Sequence, residues 1–177
     1  LLDVQVACLA NQAANFLATG KSPQRLGNAH PNIVPYQDFP TADGYMILAI
    51  GNDGQFARFC EVAGAPDLAA DARFATNRAR VGNRAVLIPL LKKLTVERST
   101  AQWIATLEAL AVPCGPINTL ADVFADPQVQ ARGLKVAVPH PVAGSVPLVA
   151  SPMKLSATPV DYRLPPPMLG EHTDDIL

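Results

Sequence analysis

The chain has 177 residues, enough for one domain or one and a half small ones with a core of useful size. Hydrophobic residues make up 49% and charged residues 16%, which excludes a disordered or solvating polymer. Fourteen Lys and Arg oppose fifteen Asp and Glu, so a net charge of −1 offers no basic field to nucleic acid or to an anionic membrane surface.

Three scattered cysteines make neither a disulfide framework nor a zinc site, and a reduced cytoplasm is the simplest setting. Seventeen prolines against eleven glycines predict short elements separated by stiff turns. At the start, Leu2, Val6, Leu9, Ala13, Phe16 and Leu17 follow helical spacing, and Gly20 suits a C-terminal cap. Gln5, Asn11, Gln12 and Asn15 interrupt the apolar run, which argues against a signal peptide or a membrane span. So apolar a helix is expected to be buried against a partner surface, in a larger protein or an obligate oligomer.

Residues 21–40 read as a loop, punctuated by Ser22-Pro23, Gly27-Asn28, His30-Pro31 and Val34-Pro35. Loops of this length tend to be functional or to link domains. Asp43-Gly44 marks a turn, and the apolar run Tyr45 to Ile50 predicts a buried strand. After Gly51-Asn52-Asp53-Gly54 comes a helix carrying Phe56, Phe59, Cys60 and Ala63, ended by Gly64. The turn either binds an anion at the helix N-terminus or is capped by Asn52 or Asp53; capping is favoured because no full phosphate-loop pattern is present.

Residues 67–80 read as irregular or short helical structure, and residues 83–94 as a helix with Leu87, Leu90, Leu91 and Leu94 on one face. Pro89 predicts a kink or a late start there. Ser99 and Gln102 form a capping-box pattern before a helix with Trp103, Leu107, Leu110 and Ala111 facing inward, stopped by Pro113. Residues 112–118 read as a rigid turn. Thr119 with Asp122 and Asp126 with Pro127 open two short helices, the second ended by Gly133. Residues 134–138 and 146–149 read as strands joined around Gly144, 164–167 as an extended proline run, and 170–177 as the start of a helix.

His30, His140 and His172 lie far apart without helical metal-ligand spacing, so no metal is expected. His30 either orients a substrate or is an ordinary loop residue; His140 is read as a turn residue and His172 as a cap. Cys114 sits in an apolar turn without the cationic setting that activates a thiolate, and Cys8 and Cys60 read as core. Arg73, Arg78, Arg80 and Arg84 either meet phosphates or form a solvated, ion-paired face.

Several motifs stand together in order. They are Gly27-Asn28-Ala29-His30-Pro31, Pro35-Tyr36 with Phe39, Asp43-Gly44-Tyr45, and Gly51-Asn52-Asp53-Gly54-Gln55-Phe56. Arg80-x-x-Asn83-Arg84, residues 112–118, Asp126-Pro127-Gln128 and Leu169-Gly170-Glu171-His172-Thr173 follow. In this order they resemble the class III CoA-transferase family (the formyl-CoA transferase, carnitine CoA-transferase and BaiF group) over nearly the whole chain. The likeness is closest in character to members acting on dicarboxylates such as succinate and glutarate.

The resemblance implies an α/β fold: a small α+β domain over about residues 29–118, flanked by residues 1–28 and 119–177 of a Rossmann-like large domain. That domain is incomplete here, so exposed apolar surface is expected. It implies an interlocked homodimer and transfer of coenzyme A between an acyl-CoA and a free carboxylic acid, with coenzyme A as substrate and no permanent cofactor. The family's nucleophilic aspartate would lie upstream of Leu1, so no catalytic residue falls in this chain and the chain alone would be inactive. A substrate-pocket loop is carried onto His30, Pro31, Asn32, Pro35 and Tyr36, as a mobile cover, and a strand-end turn onto Gly51, Asn52, Asp53 and Gly54. Two alternatives stand beside this reading: an acyl-CoA racemase of the same fold, and a non-catalytic dimerisation or interaction module.

Overall fold

In the computed structural model, which describes residues 1–177, the N-terminal apolar stretch is two helices, α1 (Leu2–Ala7) and α2 (Ala10–Thr19). They break where Ala10 takes a left-handed φ of 44°. The expected Gly20 cap is present: Gly20 is left-handed and donates its N–H to the Phe16 carbonyl. Within the single chain, Leu2 is 75% and Leu17 81% exposed.

The chain divides after Ile117 into two units. In the first, β1 (Tyr36–Pro40) and β2 (Tyr45–Ala49) form a hairpin over the Asp43-Gly44 turn, with Phe39 opposite Met46. The helices α3 (Asp53–Val62), α4 (Asp67–Ala70), α5 (Asn77–Gly82), α6 (Arg84–Thr95) and α7 (Thr100–Ala109) follow. Strand β3 (Cys114–Pro116) then pairs antiparallel with β2, placing β2 in the middle of the sheet. Two sequence expectations change here. The end of the predicted loop is β1, and the predicted rigid turn contains β3. Both are edge strands closed by or rich in proline, which an edge tolerates because its outward N–H positions need no partner.

The strand predicted as buried throughout is buried on alternate residues: Met46, Leu48 and Ile50 are covered while Tyr45 is exposed. Those side chains join Phe39, Phe56, Phe59, Phe74, Leu87, Leu91, Trp103 and Leu107 in one core between the sheet and the helices. Trp103 stacks on Phe59 and donates its indole N–H to the Thr95 carbonyl at 2.7 Å.

Local signals explain most helix ends. The Ser99–Gln102 capping box forms. Helix α6 starts at Arg84 and runs through Pro89, and the separate α5 precedes it. Helix α7 stops at Ala109, earlier than Pro113 requires, because Ala111 is left-handed (φ 52°). Leu110 and Ala111 consequently face solvent, and Val112 takes the buried place.

The second unit contains α8 (Leu120–Ala125), capped by Thr119 with Asp122, and α9 (Pro127–Ala131), capped by Asp126. Next come the antiparallel pair β4 (Lys135–His140) and β5 (Gly144–Val149), then α10 (Thr173–Ile176). The paired strands extend beyond the predicted ranges, to His140 facing Gly144. His140 does organise the turn, its Nδ1 accepting the Val142 and Ala143 N–H groups. His172 stands at the N-cap of α10 but makes no capping bond, a correction to the expected role. Only Val138 and Ala150 among this unit's apolar residues are buried, and Val149, Leu155 and Leu164 are exposed.

Candidate functional site

The loop residues His30, Pro31, Asn32, Pro35 and Tyr36 and the turn residues Gly51, Asn52, Asp53 and Gly54 lie side by side. Their first link is backbone pairing, with Ile50 N–H donating to the Pro35 carbonyl at 3.0 Å. The loop closes on itself through His30 N–H to the Tyr36 carbonyl at 2.9 Å. The His30 and Tyr36 rings stack with centroids 5.2 Å apart and planes 12° from parallel. His30 Nδ1 accepts the Asn32 N–H at 3.1 Å, and its Nε2 lies 3.4 Å from the Asn11 amide nitrogen. Asn32 also exchanges two side-chain hydrogen bonds with Asn15 of α2, at 3.0 and 3.1 Å. Thus α2 is tied to the loop through polar groups although its apolar face is bare.

At the turn, Asn52 is the cap of α3, its Oδ1 accepting the Gln55 N–H at 2.9 Å. Gln55 reaches back to accept the Gly51 N–H at 2.8 Å. The capping alternative therefore falls to Asn52 and not to Asp53. Asp53 turns sideways: its Oδ1 accepts the Asn77 backbone N–H and an Arg80 guanidinium N–H, each at 2.8 Å.

The arginine group separates into different jobs. Arg73 pairs with Asp71 at 2.6 Å, an exposed pair as expected. Arg80 is fully buried, contrary to both expected readings. Its Nε donates to the Val34 carbonyl at 2.6 Å, its Nη1 to the Phe74 carbonyl at 2.9 Å, and its plane lies 4.4 Å from the Phe56 ring centre. Arg84 Nη2 donates to the His30 and Pro31 carbonyls at 2.6 and 3.0 Å. Asn77, which carries no motif signal, donates its amide to the Asn32 carbonyl at 2.8 Å and accepts the Val34 N–H at 3.1 Å. It is detectable only once α5 is seen beside the loop.

Chemically, the assembly is a polar wall of backbone and neutral amides held from behind by guanidinium groups. No three His, Cys, Asp or Glu side chains gather as a metal would need. Burial pushes the Cys60 thiol up to about 12. Burial, reinforced by Glu108, also raises Cys114. Both shifts oppose thiolate formation.

A sequence profile of CoA-transferase family III matches residues 1–173. The chain is 49% identical over 177 residues to a succinate–glutarate CoA-transferase of Agrobacterium fabrum, covering all of this chain and 44% of that protein. It is 42% identical over 177 residues to a human succinyl-CoA:glutarate CoA-transferase, covering 40% of it. A CAIB/BAIF family protein from Brucella suis superposes with a TM-score of 0.80 at 49% identity, over 95% of this chain and 43% of that one. The chain thus spans less than half the length of the relatives it matches.

Proposed function

The chain belongs to CoA-transferase family III, and from that premise we propose that it forms part of an enzyme moving coenzyme A between an acyl-CoA and a free dicarboxylate. Succinate and glutarate are the proposed acids, on the strength of the 49% identity that extends over every residue of the chain.

In the proposed reaction an aspartate carboxylate attacks the thioester carbonyl, forming a mixed anhydride and releasing the CoA thiolate. The thiolate attacks the aspartyl carbonyl, freeing the donor acid and leaving an enzyme-bound CoA thioester. The acceptor carboxylate attacks that thioester and releases thiolate again. The thiolate then takes the new acyl group and restores the aspartate. Each step exchanges one oxygen or sulfur nucleophile for another, so one difficult exchange becomes several easier ones. By this reading the attacking aspartate is not among the 177 residues.

The proposed role of this chain is to exclude water, which would hydrolyse the anhydride. The observation carrying it is the meeting of the 30–36 loop and the 51–54 turn in one hydrogen-bonded wall, tied through Asn77 and Arg80. Residues 29–118 are proposed as a small α/β domain, with residues 1–28 and 119–177 belonging to a larger one in a cytoplasmic homodimer.

The test joins this chain to the remaining portion of the Agrobacterium relative and follows CoA exchange from succinyl-CoA to glutarate. His30→Ala and Asn52→Ala should each lower exchange about tenfold or more, since small misplacements of a pocket wall carry costs of that order. Their thermal midpoints should move far less. Exchange and stability falling in step would return both residues to a purely structural role.

A further inference from the structure

The loop at residues 30–34 is held in an unusual way for a segment feeding a strand. Four of its carbonyls, those of His30, Pro31, Asn32 and Val34, accept hydrogen bonds from the side chains of Asn77, Arg80 and Arg84. The Asn77 amide takes the part of a missing peptide: it donates to the Asn32 carbonyl and accepts the Val34 N–H, bridging residues two apart as a neighbouring strand would. The far side of Asn77 is fixed too. Its backbone N–H and the Arg80 guanidinium converge on one oxygen of Asp53, in the first turn of α3.

We propose that Asp53, Asn77 and Arg80 are positioning residues that couple the 51–54 turn to the 30–34 loop, so that the two walls hold or yield together. The hydrogen bonds of the Asp53 carboxylate go to Asn77 and Arg80 and not to the loop; it acts by fixing the residues that bond the loop. Arg80 lends rigidity because its guanidinium is fully buried and its three donating nitrogens each have a partner: the half-exposed Asp53 carboxylate and the Val34 and Phe74 carbonyls, either of which is left unsatisfied if its bond is lost. The segment at 30–36 is therefore a preformed wall and not a lid that swings independently of the turn. The consequence for catalysis rests on the function proposed above, but the coupling itself is a property of this chain without substrate.

Amide hydrogen exchange on the 177-residue chain reads it directly. Val34 is buried, and its N–H is held only by the Asn77 side chain. Asn77→Ala should raise Val34 exchange at least tenfold while leaving the β2 amides of Ile47 and Leu48 unchanged. Asp53→Ala should raise Val34 exchange at least threefold from a distance, and add nothing in the double variant with Asn77→Ala. Asp53→Asn, which keeps an acceptor oxygen in the same place, should restore most of the protection. Unchanged Val34 exchange in Asn77→Ala or Asp53→Ala would overturn the coupling, as would an equal rise at Ile47 and Leu48. If the amides behave as expected but the joined transferase exchanges no CoA, the functional reading fails and the coupling stands.

Discussion

Arg80 is the residue on which the site's interior depends most. Its guanidinium satisfies two backbone carbonyls and a carboxylate while lying over Phe56. Arg80→Ala strips the partners from the Val34 and Phe74 carbonyls and leaves a void, and should cost about 3 kcal/mol or more in urea unfolding. Arg80→Lys keeps the charge but lacks the planar fork, and should recover only part of that loss.

A second residue-scale prediction concerns acid. The Thr100 backbone N–H and then its hydroxyl hold the Asp43 carboxyl below its usual range. A carboxylate depressed in the folded state stabilises above its unfolded pKa of about 4, and that stabilisation vanishes as pH falls through the lower folded value. Urea midpoints between pH 2 and pH 6 should therefore fall on acidification, and Asp43→Asn should flatten that acid limb. An identical limb in the variant would show that Asp43 contributes nothing to it.

How much of this was legible at the residue scale follows from range. Asn52 capping Gln55 spans three positions and leaves a sequence pattern, whereas Asn77 meets Asn32 across 45 positions and leaves none. Arg80 looked like its neighbours Arg73 and Arg78 because burial is decided by the loop that folds over it.

Among the elements, caps were readable and edge strands were not. Ser99, Thr119 and Asp126 each cap the helix that their spacing predicts. Strands β1 and β3 were hidden because prolines at 40 and 116 look like breakers, and because β3 finds its partner in β2, Cys114 facing Leu48. The end of α7 was misplaced for a related reason. Ala111 takes a left-handed φ that its type rarely adopts, at a cost of about 1 kcal/mol. Ala111→Gly should relieve it and raise stability by about 0.5–1 kcal/mol, read from the denaturation midpoint. Pro89 gives the complementary case. It is exposed inside α6 and removes one helical hydrogen bond, so Pro89→Ala should stabilise by about 1 kcal/mol or more. A loss of stability in either variant would mean that the native backbone depends on the original residue.

At the scale of the whole molecule, the unpacked surface is concentrated in two places. One is the α1–α2 face, where Val6, Leu9, Ala13, Phe16 and Leu17 line an apolar groove of ≈ 360 Å³. The other is the second unit, whose strands and proline-rich tail bury little. The first unit, by contrast, closes a continuous core around Trp103 and Phe59. This contrast accords with a chain that covers 44% of its Agrobacterium relative, and with the proposal that the reacting carboxylate lies outside it. The most direct test incubates the purified 177-residue chain with succinyl-CoA and glutarate and measures glutaryl-CoA. No product above the enzyme-free control is expected from this chain by itself. Steady glutaryl-CoA formation by this chain alone would contradict it.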